Sequence, residues 1–295
     1  MTVIDTAVPT TTHPFHTTRE EERRLRVAAE RMVPALTIAQ PVSFDGFVQQ
    51  LMVPPAVMDL ARKAHGLRLS VQETEAIRHH LRPVESGKKP GLLRRILMDK
   101  AKEDGSHPPY IRVACTGKGT YDHWAKDDYL AVYVPPSGDF GSPAVLEIWP
   151  AQHYSPIHSH GHTTGIIHCL TGQLDIMAYG SLAWNAEKMG LYTLTPGQTA
   201  WLAGDTFAVH KVYCPFDGGT TTATGPGYLN KSDQFAASFH VYLNDTELST
   251  YSGLDPSRDR FHYIDETDHT EKVFTTYSDL SWHVLAQILA QTELD

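Results

Sequence analysis

The chain has 295 residues, which is enough for one large domain or two small ones with a substantial buried core. Its 41% hydrophobic and 20% charged residues are typical of a globular protein, and its net charge of -9 argues against a nucleic-acid partner. Cys115, Cys169 and Cys214 form no CxxC pair, so neither a disulfide framework nor a zinc knuckle is indicated. The N-terminus has no signal-peptide pattern and no apolar stretch is long enough to span a bilayer, so we expect a cytoplasmic protein without a membrane partner.

The first hundred residues are predicted to be mainly helical. Residues 1–17 are rich in Thr and Pro and are expected to form a flexible tail. The first helix begins at Thr18, whose side chain can cap it. Further helices are predicted near residues 43–52, 54–66, 70–81 and 89–105. Ser70 and Glu73 form a capping box at the start of one of them, and we assign residues 18–106 to a helical region packed on the rest of the chain.

The pattern changes after residue 107 to short segments rich in β-branched and aromatic residues. In order, these segments are YIRVAC, YLAVYV, AVLEIW, GIIHCL, QLDIMAYG, GLYTL, TAWLAG, AVHKVYC and AASFHVYL. Repeated short strands predict a sandwich or barrel over residues 107–265, with residues 217–227 as a glycine- and threonine-rich loop. Residues 266–295 are predicted to contain a C-terminal helix capped by Ser278 or Asp279.

Five histidines lie between residues 148 and 172, and two of them have a spacing that suits a metal ion. His158 and His160 are separated by one residue in a β-rich run, and side chains at i and i+2 of a strand point to the same face. Both imidazoles could therefore ligate one ion, with a third ligand supplied from elsewhere in the chain. The other three are expected to be structural or solvent-facing, namely His153, His162 and His168.

The order of features around this pair resembles the two signature motifs of the cupin superfamily. The pair is followed by Gly172, then by the turn at residues 195–197, and then by His210 in the strand-like segment AVHKVY. Cupins are double-stranded β-helix barrels that hold a metal in the mouth of the barrel. The resemblance therefore implies a mainly β fold of this kind, with His158, His160 and His210 as the three metal ligands.

One position narrows the resemblance within the superfamily. Many cupins supply a Glu four or five residues after the second histidine, where this chain has Thr164 and Gly165. Three neutral imidazoles suit Fe(II), Zn, Cu or Ni and leave open coordination positions for a substrate. Thiol dioxygenases of the cysteine dioxygenase group hold iron with three histidines in this way.

A second motif of those enzymes, Ser-x-His-x-Tyr, occurs here as Ser238-Phe239-His240-Val241-Tyr242. Period-two spacing puts Ser238, His240 and Tyr242 on one face of a strand, where they can form a hydrogen-bonded row. The enzymes also carry a Tyr-x-Arg, present as Tyr110-Ile111-Arg112, whose guanidinium binds the substrate carboxylate. The cysteine that cross-links to the tyrosine in the mammalian enzymes is Gly165 here, so we predict no thioether.

The resemblance implies an Fe(II)-dependent thiol dioxygenase that adds both atoms of O2 to a small carboxylate-bearing thiol. Cysteine, 3-mercaptopropionate, mercaptosuccinate and ergothioneine-like thiols all fit, with Tyr242, His240 and Ser238 as the catalytic row and Arg112 as the substrate anchor. One alternative is another metal-dependent cupin, such as a quercetinase-like or ketone-cleaving dioxygenase or an isomerase, acting on a substrate without sulfur. The other is a non-catalytic cupin that binds a small molecule. The oligomeric state is left open.

Overall fold

A computed structural model describes most of the chain. The described residues are 17–32, 35–36, 43–51, 53–83, 89–103, 107–128, 132, 144–161, 163–202, 209–216, 229, 232–243, 260–275 and 278–294. The expected tail at 1–16, the strand YLAVYV apart from Val132, the loop at 217–227 and His162 lie outside them. Within the described part of the chain, every helix is too short or too polar to cross a bilayer.

The described residues contain seven helices, six of them before the barrel strands. They are α1 (Arg19–Met32), α2 (Phe44–Leu51), α3 (Pro55–Ala64), α4 (Val71–Leu81), α5 (Leu92–Glu103), α6 (Asp122–Asp128) and α7 (Trp282–Gln291). The first five confirm the predicted helices to within a few residues. Thr18 accepts a hydrogen bond from the Glu21 backbone N–H (3.1 Å), and Ser70 and Glu73 form the predicted capping box at the start of α4.

Thirteen strands occur in the same described residues. They are β1 (Ala35–Leu36), β2 (Ile111–Ala114), β3 (Ala144–Pro150), β4 (His158–Ser159), β5 (Thr164–Thr171), β6 (Leu174–Tyr179), β7 (Lys188–Leu194), β8 (Thr199–Leu202), β9 (Val209–Tyr213), β10 (Phe235–Leu243), β11 (Arg260–Ile264), β12 (Glu271–Thr275) and β13 (Leu280–Ser281). They form a seven-stranded sheet, ordered β1-β8-β5-β10-β3-β2-β13, and a six-stranded sheet, ordered β12-β11-β4-β9-β6-β7.

The strand order identifies the fold as a double-stranded β-helix. Eight consecutive strands, β3 to β10, divide between the two sheets as β8-β5-β10-β3 and β4-β9-β6-β7. All neighbours within these two sets are antiparallel. This arrangement is the eight-stranded jelly roll found in cupins. The predicted fold class is therefore confirmed.

The barrel core lies between the two sheets, and the N-terminal helices cover its outside. Trp149, Ile167 and Cys169 from the first sheet pack with Ile176 and Val212 from the second. Burying such side chains contributes roughly 1.5–3 kcal/mol each. These contacts tie the two sheets together around the central cavity.

Two helices show how the N-terminal region packs on the barrel. Leu25 of α1 is buried against Met177 and Leu191, so α1 lies over β6 and β7. Val57 of α3 packs with Ile166 of β5. α1 thus uses its apolar face against the second sheet and α3 against the first, as the amphipathic pattern predicts.

The C-terminal part differs from the prediction in two respects. The last helix is capped by Ser281, which accepts a hydrogen bond from the Val284 N–H (3.2 Å), and the predicted cap at Ser278 or Asp279 is wrong. Leu280 and Ser281 pair with β2 as β13, and this pairing delays the start of the helix.

The hairpin of β11 and β12 was not predicted from sequence. Its strands pair from Arg260 to Thr275, so the boundary proposed between residues 265 and 266 falls inside it. The hairpin extends the second sheet by pairing with β4 next to His158 and Ser159. It thereby brings aromatic side chains to the mouth of the barrel.

Candidate metal centre and adjoining polar row

The structure brings the three predicted metal ligands together on the second sheet. His158 of β4 lies opposite His210 of β9 in the antiparallel register, and His160 follows directly after β4. The Nε2 atoms of His158 and His160 are 3.1 Å apart, and the three residues offer ligand atoms that all lie within 4.8 Å of one another. Because no backbone rearrangement is needed to converge them, this geometry suits a single bound ion.

The protonation of these imidazoles also suits a metal. His158 donates its Nδ1–H to the Pro156 carbonyl (3.0 Å), which leaves the Nε2 lone pair facing the other histidines. Burial lowers the pKa of His158 to about 4 and that of His160 well below its usual value. Both rings are therefore neutral near pH 7, the form in which histidine binds metals.

The predicted polar row is present on β10 of the first sheet. The Ser238 Oγ lies 2.7 Å from Nε2 of His240, and the His240 Nδ1 lies 3.1 Å from the Tyr242 hydroxyl. Trp149 donates its indole N–H to the Ser238 Oγ (2.9 Å). Burial lowers the pKa of His240 to about 3 and raises the pKa of Tyr242 well above its usual value, so both side chains are neutral at physiological pH.

Glu147, which sequence reasoning did not select, joins this row to Arg112. Its Oε1 lies 2.9 Å from the Arg112 Nη1, and its Oε2 lies 3.0 Å from the His240 Nε2. The register explains the contacts, because Glu147 on β3 lies opposite Arg112 on β2 and opposite Ser238 on β10. A charged residue within the apolar strand AVLEIW, two residues from Trp149, was the signal that could have revealed it.

Arg112 is buried, and it is an ion-pair partner as well as a cavity residue. Its side chain is 8% exposed, and its Nε has no hydrogen-bond acceptor among the described residues. Its guanidinium carbon lies 5.9 Å from the centre of the Phe261 ring. The guanidinium therefore keeps one unused donor, but the Glu147 carboxylate already balances its charge.

The polar row and the histidine trio face each other across the barrel. The Tyr242 ring stacks on His160 with centroids 4.6 Å apart and an interplanar angle of 21°, and Phe261 of β11 packs edge-on against His160 at 4.2 Å. Both groups line one open cavity. Its lining includes Tyr110, Arg112, Glu147, Trp149, His158, His160, His210, His240, Tyr242, Phe261, Tyr263 and Phe274.

Two of the remaining histidines of the stretch are structural. His153 is fully buried, and its Nδ1 lies 2.5 Å from the Pro109 carbonyl oxygen. His168 is also buried, with its Nδ1 2.8 Å from the Thr199 hydroxyl. Neither belongs to the metal-ligand group, and of the two expected alternatives, structural or solvent-facing, both histidines fit the first.

Gly165 lies next to Tyr242, and two of the cysteines lie in the core. Gly165 pairs with Tyr242 across β5 and β10, and a Cβ at this position would come within 3.1 Å of the Tyr242 Cδ1. Position 165 thus abuts the tyrosine but carries no thiol. Cys169 and Cys214 are both buried in the core between the sheets, as predicted for small core residues.

The fold and the site together define a cupin-type barrel with a group of three histidines that could hold a metal ion. No family model matches the sequence, and no curated protein is significantly similar to it. The assignment to a cupin-type barrel therefore rests on the strand order and on the convergence of the three histidines.

Comparison with solved structures gives distant matches. An oxalate oxidase in complex with glycolate matches with 15% identity over 34% of this chain and 40% of its own, with a TM-score of 0.24. An oxalate decarboxylase of Lactobacillus farciminis matches with 14% identity over 34% of this chain and 23% of its own (TM-score 0.23). The CENP-C cupin domain of Drosophila melanogaster matches with 10% identity over 34% and 56% (TM-score 0.23). The chain spans well under two thirds of each of these three structures, and similarity this distant carries no argument about activity.

Proposed function

We propose that the protein is an Fe(II)-dependent thiol dioxygenase. The observation that carries the proposal is the position of the Ser238, His240 and Tyr242 row directly beside a trio of histidines whose ligand group, among the described residues, contains no carboxylate. The overall reaction is RSH + O2 → RSO2H, in which sulfur is oxidised, O2 is fully reduced and both oxygen atoms end on sulfur. The substrate and O2 are the only reactants required.

The residues of the trio fit iron. His158, His160 and His210 would hold the ion through neutral imidazole nitrogens and leave further coordination positions open. When bound, Fe(II) supplies redox chemistry with O2 and makes a coordinated thiol more acidic. Three imidazoles also accept other divalent metals, so the choice of iron rests on the neighbouring Ser-x-His-x-Tyr row and not on the trio alone.

The first sheet supplies the groups that would contact the substrate. Tyr242 stacks on His160 and lines the cavity, which supports a role for its hydroxyl in hydrogen-bonding a ligand beside the trio. The His240 Nδ1 is hydrogen-bonded to that hydroxyl, and the Ser238 hydroxyl is hydrogen-bonded to the His240 Nε2. The row would thus orient one polar contact in a cavity whose wall at Phe261 and Phe274 is apolar.

Arg112 is the proposed contact for a substrate carboxylate. Its unused Nε donor supports this role, since a buried donor without an acceptor is costly and a bound carboxylate would satisfy it. Its pairing with Glu147 weakens the expected preference for an anion, because the two charges cancel. We therefore assign Arg112 to hydrogen-bonding of the carboxylate more than to charge neutralisation.

The proposal is tested by anaerobic reconstitution with Fe(II), followed by measurement of O2 uptake. The panel contains cysteine, 3-mercaptopropionate, mercaptosuccinate and ergothioneine, with the hydroxyl analogues serine, 3-hydroxypropionate and malate as controls for the first three. We expect uptake with at least one thiol, none with its hydroxyl analogue and none in His210→Ala. The exposed His262, which pairs with Glu271, provides a matched control in His262→Ala. No uptake with any thiol, or full uptake in His210→Ala, would refute the proposal.

The same assay tests Arg112. For the preferred thiol acid and its decarboxylated analogue, such as cysteine and 2-aminoethanethiol, we expect kcat/KM to be higher for the acid by about 10-fold, which is about 1.4 kcal/mol. Equal values for the two substrates would remove the assigned role of Arg112 and leave the proposed reaction untouched.

A further inference from the structure

Glu147 has the most unusual position of the buried polar residues in the cavity wall. It is 2% exposed in the middle of β3, and its two carboxylate oxygens have different partners. Oε1 faces Arg112 on one neighbouring strand, and Oε2 faces His240 on the other. A buried carboxylate is expensive unless its oxygens are satisfied, so both contacts are needed for it to be tolerated here.

We infer that Glu147 is a positioning residue that fixes which ring nitrogen of His240 carries the proton, and thereby the direction of the hydrogen bond from Tyr242. The inference deepens the proposed function, because it concerns the same polar row. The inference follows from the hydrogen-bond donors and acceptors along the chain of contacts from Arg112 through Glu147 and His240 to Tyr242.

This chain of hydrogen bonds begins at Arg112, whose side chain can only donate hydrogen bonds. A guanidinium has five N–H donors and no acceptor, so Arg112 requires an acceptor at Oε1 of Glu147. A carboxylate offers a second acceptor at Oε2, which faces the His240 Nε2 at 3.0 Å. The favourable arrangement places the ring proton on Nε2, where it is donated to Glu147.

The remaining ring nitrogen then determines the orientation of Tyr242. With the proton on Nε2, the His240 Nδ1 is an acceptor, and the Tyr242 hydroxyl at 3.1 Å donates to it. The phenol proton is thereby used inside the protein, and the lone pairs of the oxygen are left for the cavity. Tyr242 thus presents an acceptor, not a donor, to a ligand beside the trio.

Ser238 does not determine which ring nitrogen of His240 carries the proton. Its oxygen accepts a hydrogen bond from the indole N–H of Trp149. The hydroxyl can either donate its own proton to the His240 Nε2 or, after rotation, accept a hydrogen bond from a His240 Nε2–H. A hydroxyl adapts to whichever tautomer is present, whereas a carboxylate paired with Arg112 does not. The alternative arrangement requires a proton on Oε2 of Glu147, and burial raises the pKa of that carboxyl above its usual value although the charge of Arg112 opposes the rise. The ion pair with Arg112 at 2.9 Å favours the carboxylate, and the experiment below distinguishes the two arrangements.

The substitution Glu147→Gln separates the two arrangements. An amide has one oxygen, which must face Arg112 because a guanidinium and an NH2 group cannot share a hydrogen bond. The NH2 group of the introduced amide would then face the His240 Nε2, which must become the acceptor. The ring proton moves to Nδ1, and the Tyr242 hydroxyl becomes the acceptor of the His240 N–H.

The experiment is ¹⁵N NMR of histidine side chains in metal-free full-length protein, with His240 assigned by its loss in His240→Ala. Two-bond ¹H–¹⁵N correlations distinguish a protonated from a bare ring nitrogen. We expect Nε2–H in the wild type, Nδ1–H in Glu147→Gln, and the wild-type tautomer in Ser238→Ala, which keeps the carboxylate. Nδ1–H in the wild type, or no change in folded Glu147→Gln, would overturn the inference. The wild-type spectrum alone decides it if Glu147→Gln does not fold.

This measurement is independent of turnover. It needs neither iron nor a thiol, so a failed tautomer prediction leaves the O2-uptake result intact, and absent O2 uptake leaves the tautomer result intact. In an active protein, Glu147→Gln is further expected to lower kcat by about 10- to 100-fold, the range found for outer groups that orient a site. KM is expected to change less, because the carboxylate oxygens of Glu147 are engaged by Arg112 and His240.

Discussion

His158 and His210 lie directly opposite each other on β4 and β9, with ring centroids 4.3 Å apart, although 51 residues separate them in the sequence. The antiparallel register places both side chains on the inner face of the second sheet. His160, two residues further along the chain from His158, brings its Nε2 to within 3.1 Å of that of His158. Two of the three candidate ligands are thus set by a strand pairing, which favours a rigid centre.

Removal of any one of these histidines is expected to abolish tight metal binding. Each of the substitutions His158→Ala, His160→Ala and His210→Ala deletes one of three candidate ligands. The affinity for Fe(II) or Co(II) should therefore fall by more than the roughly 100-fold that follows from loss of a residue that only hydrogen-bonds to a ligand. Anaerobic titration calorimetry with Co(II) measures this. The control His262→Ala changes an exposed histidine on the adjoining β11 and is expected to bind as the wild type does. Unchanged affinity in two of the three alanine variants would show that the ion binds elsewhere.

Arg112 and Glu147 are expected to depend on each other for stability. Their side chains are 8% and 3% exposed, so removing one leaves the other as an unpaired buried charge, at a cost of about 3–5 kcal/mol. Arg112→Met and Glu147→Leu should each be strongly destabilising in urea unfolding, and the double variant should cost clearly less than their sum.

The exposed pair of Lys63 and Asp59 on α3 is the matched control for that cycle. Their charged atoms are 2.7 Å apart, but the side chains are 72% and 61% exposed. Water and salt screen such a pair, so its coupling energy should be within about 0.2–1 kcal/mol. Additivity within about 0.5 kcal/mol for Arg112 and Glu147 would contradict the buried-pair interpretation.

Much of the site could be predicted because its residues are spaced by two along single strands. The positions of His158 and His160, and of Ser238, His240 and Tyr242, follow from this local rule. The role of Glu147 could not be predicted in the same way, because it depends on the register of β3 with both of its neighbours. Register is fixed by the whole sheet and is not encoded near the residue.

The hairpin that carries Phe261 was missed for a related reason. β11 has the sequence RFHYI, without an apolar run, and it pairs with a β4 that is only two residues long. Likewise, the cap of α7 was misplaced because Leu280 and Ser281 first pair with β2. In each case a contact with a distant strand overrides the local pattern.

Gly165 is expected to be required for the close approach of β5 and β10. An added Cβ would lie 2.8 Å from the Val241 carbonyl oxygen and 3.1 Å from the Tyr242 Cδ1. Because the first contact is with backbone, Gly165→Ala should reduce the free energy of unfolding by about 1–3 kcal/mol. Gly180→Ala is the control, since the nearest atom to its Cβ would be the Met189 Sδ, at an ordinary 3.6 Å. Equal stability of the two variants in urea would show that the strands can separate without cost.

His80 is expected to make the stability of the protein depend on pH. It is 4% exposed on α4, and its Nε2 lies 2.9 Å from the Thr292 hydroxyl, which donates its own proton to the Ile288 carbonyl (2.8 Å). The hydroxyl oxygen therefore accepts from a His80 Nε2–H. Burial, followed by the neighbouring His79, lowers the pKa of His80 to about 4.

The sign of the effect follows from linkage. An unfolded histidine has a pKa near 6.5, so between pH 6.5 and 4 the unfolded chain binds more protons at this residue than the folded protein does. The contribution of His80 to the free energy of unfolding is thus fully present above about pH 6.5. It is lost as the pH falls towards 4, by about 3 kcal/mol in all.

The variant His80→Gln isolates this contribution, because Gln can donate to Thr292 but does not titrate. Between pH 7 and 4, the free energy of unfolding in urea should fall further in the wild type than in His80→Gln, by up to about 3 kcal/mol. Leu81→Ala, a buried neighbour on the same helix, should be less stable by about 2–5 kcal/mol at every pH while keeping the wild-type pH dependence. If the wild type and His80→Gln lose stability in parallel as the pH falls, His80 is protonated in the folded protein and its contact with Thr292 must differ from the one described.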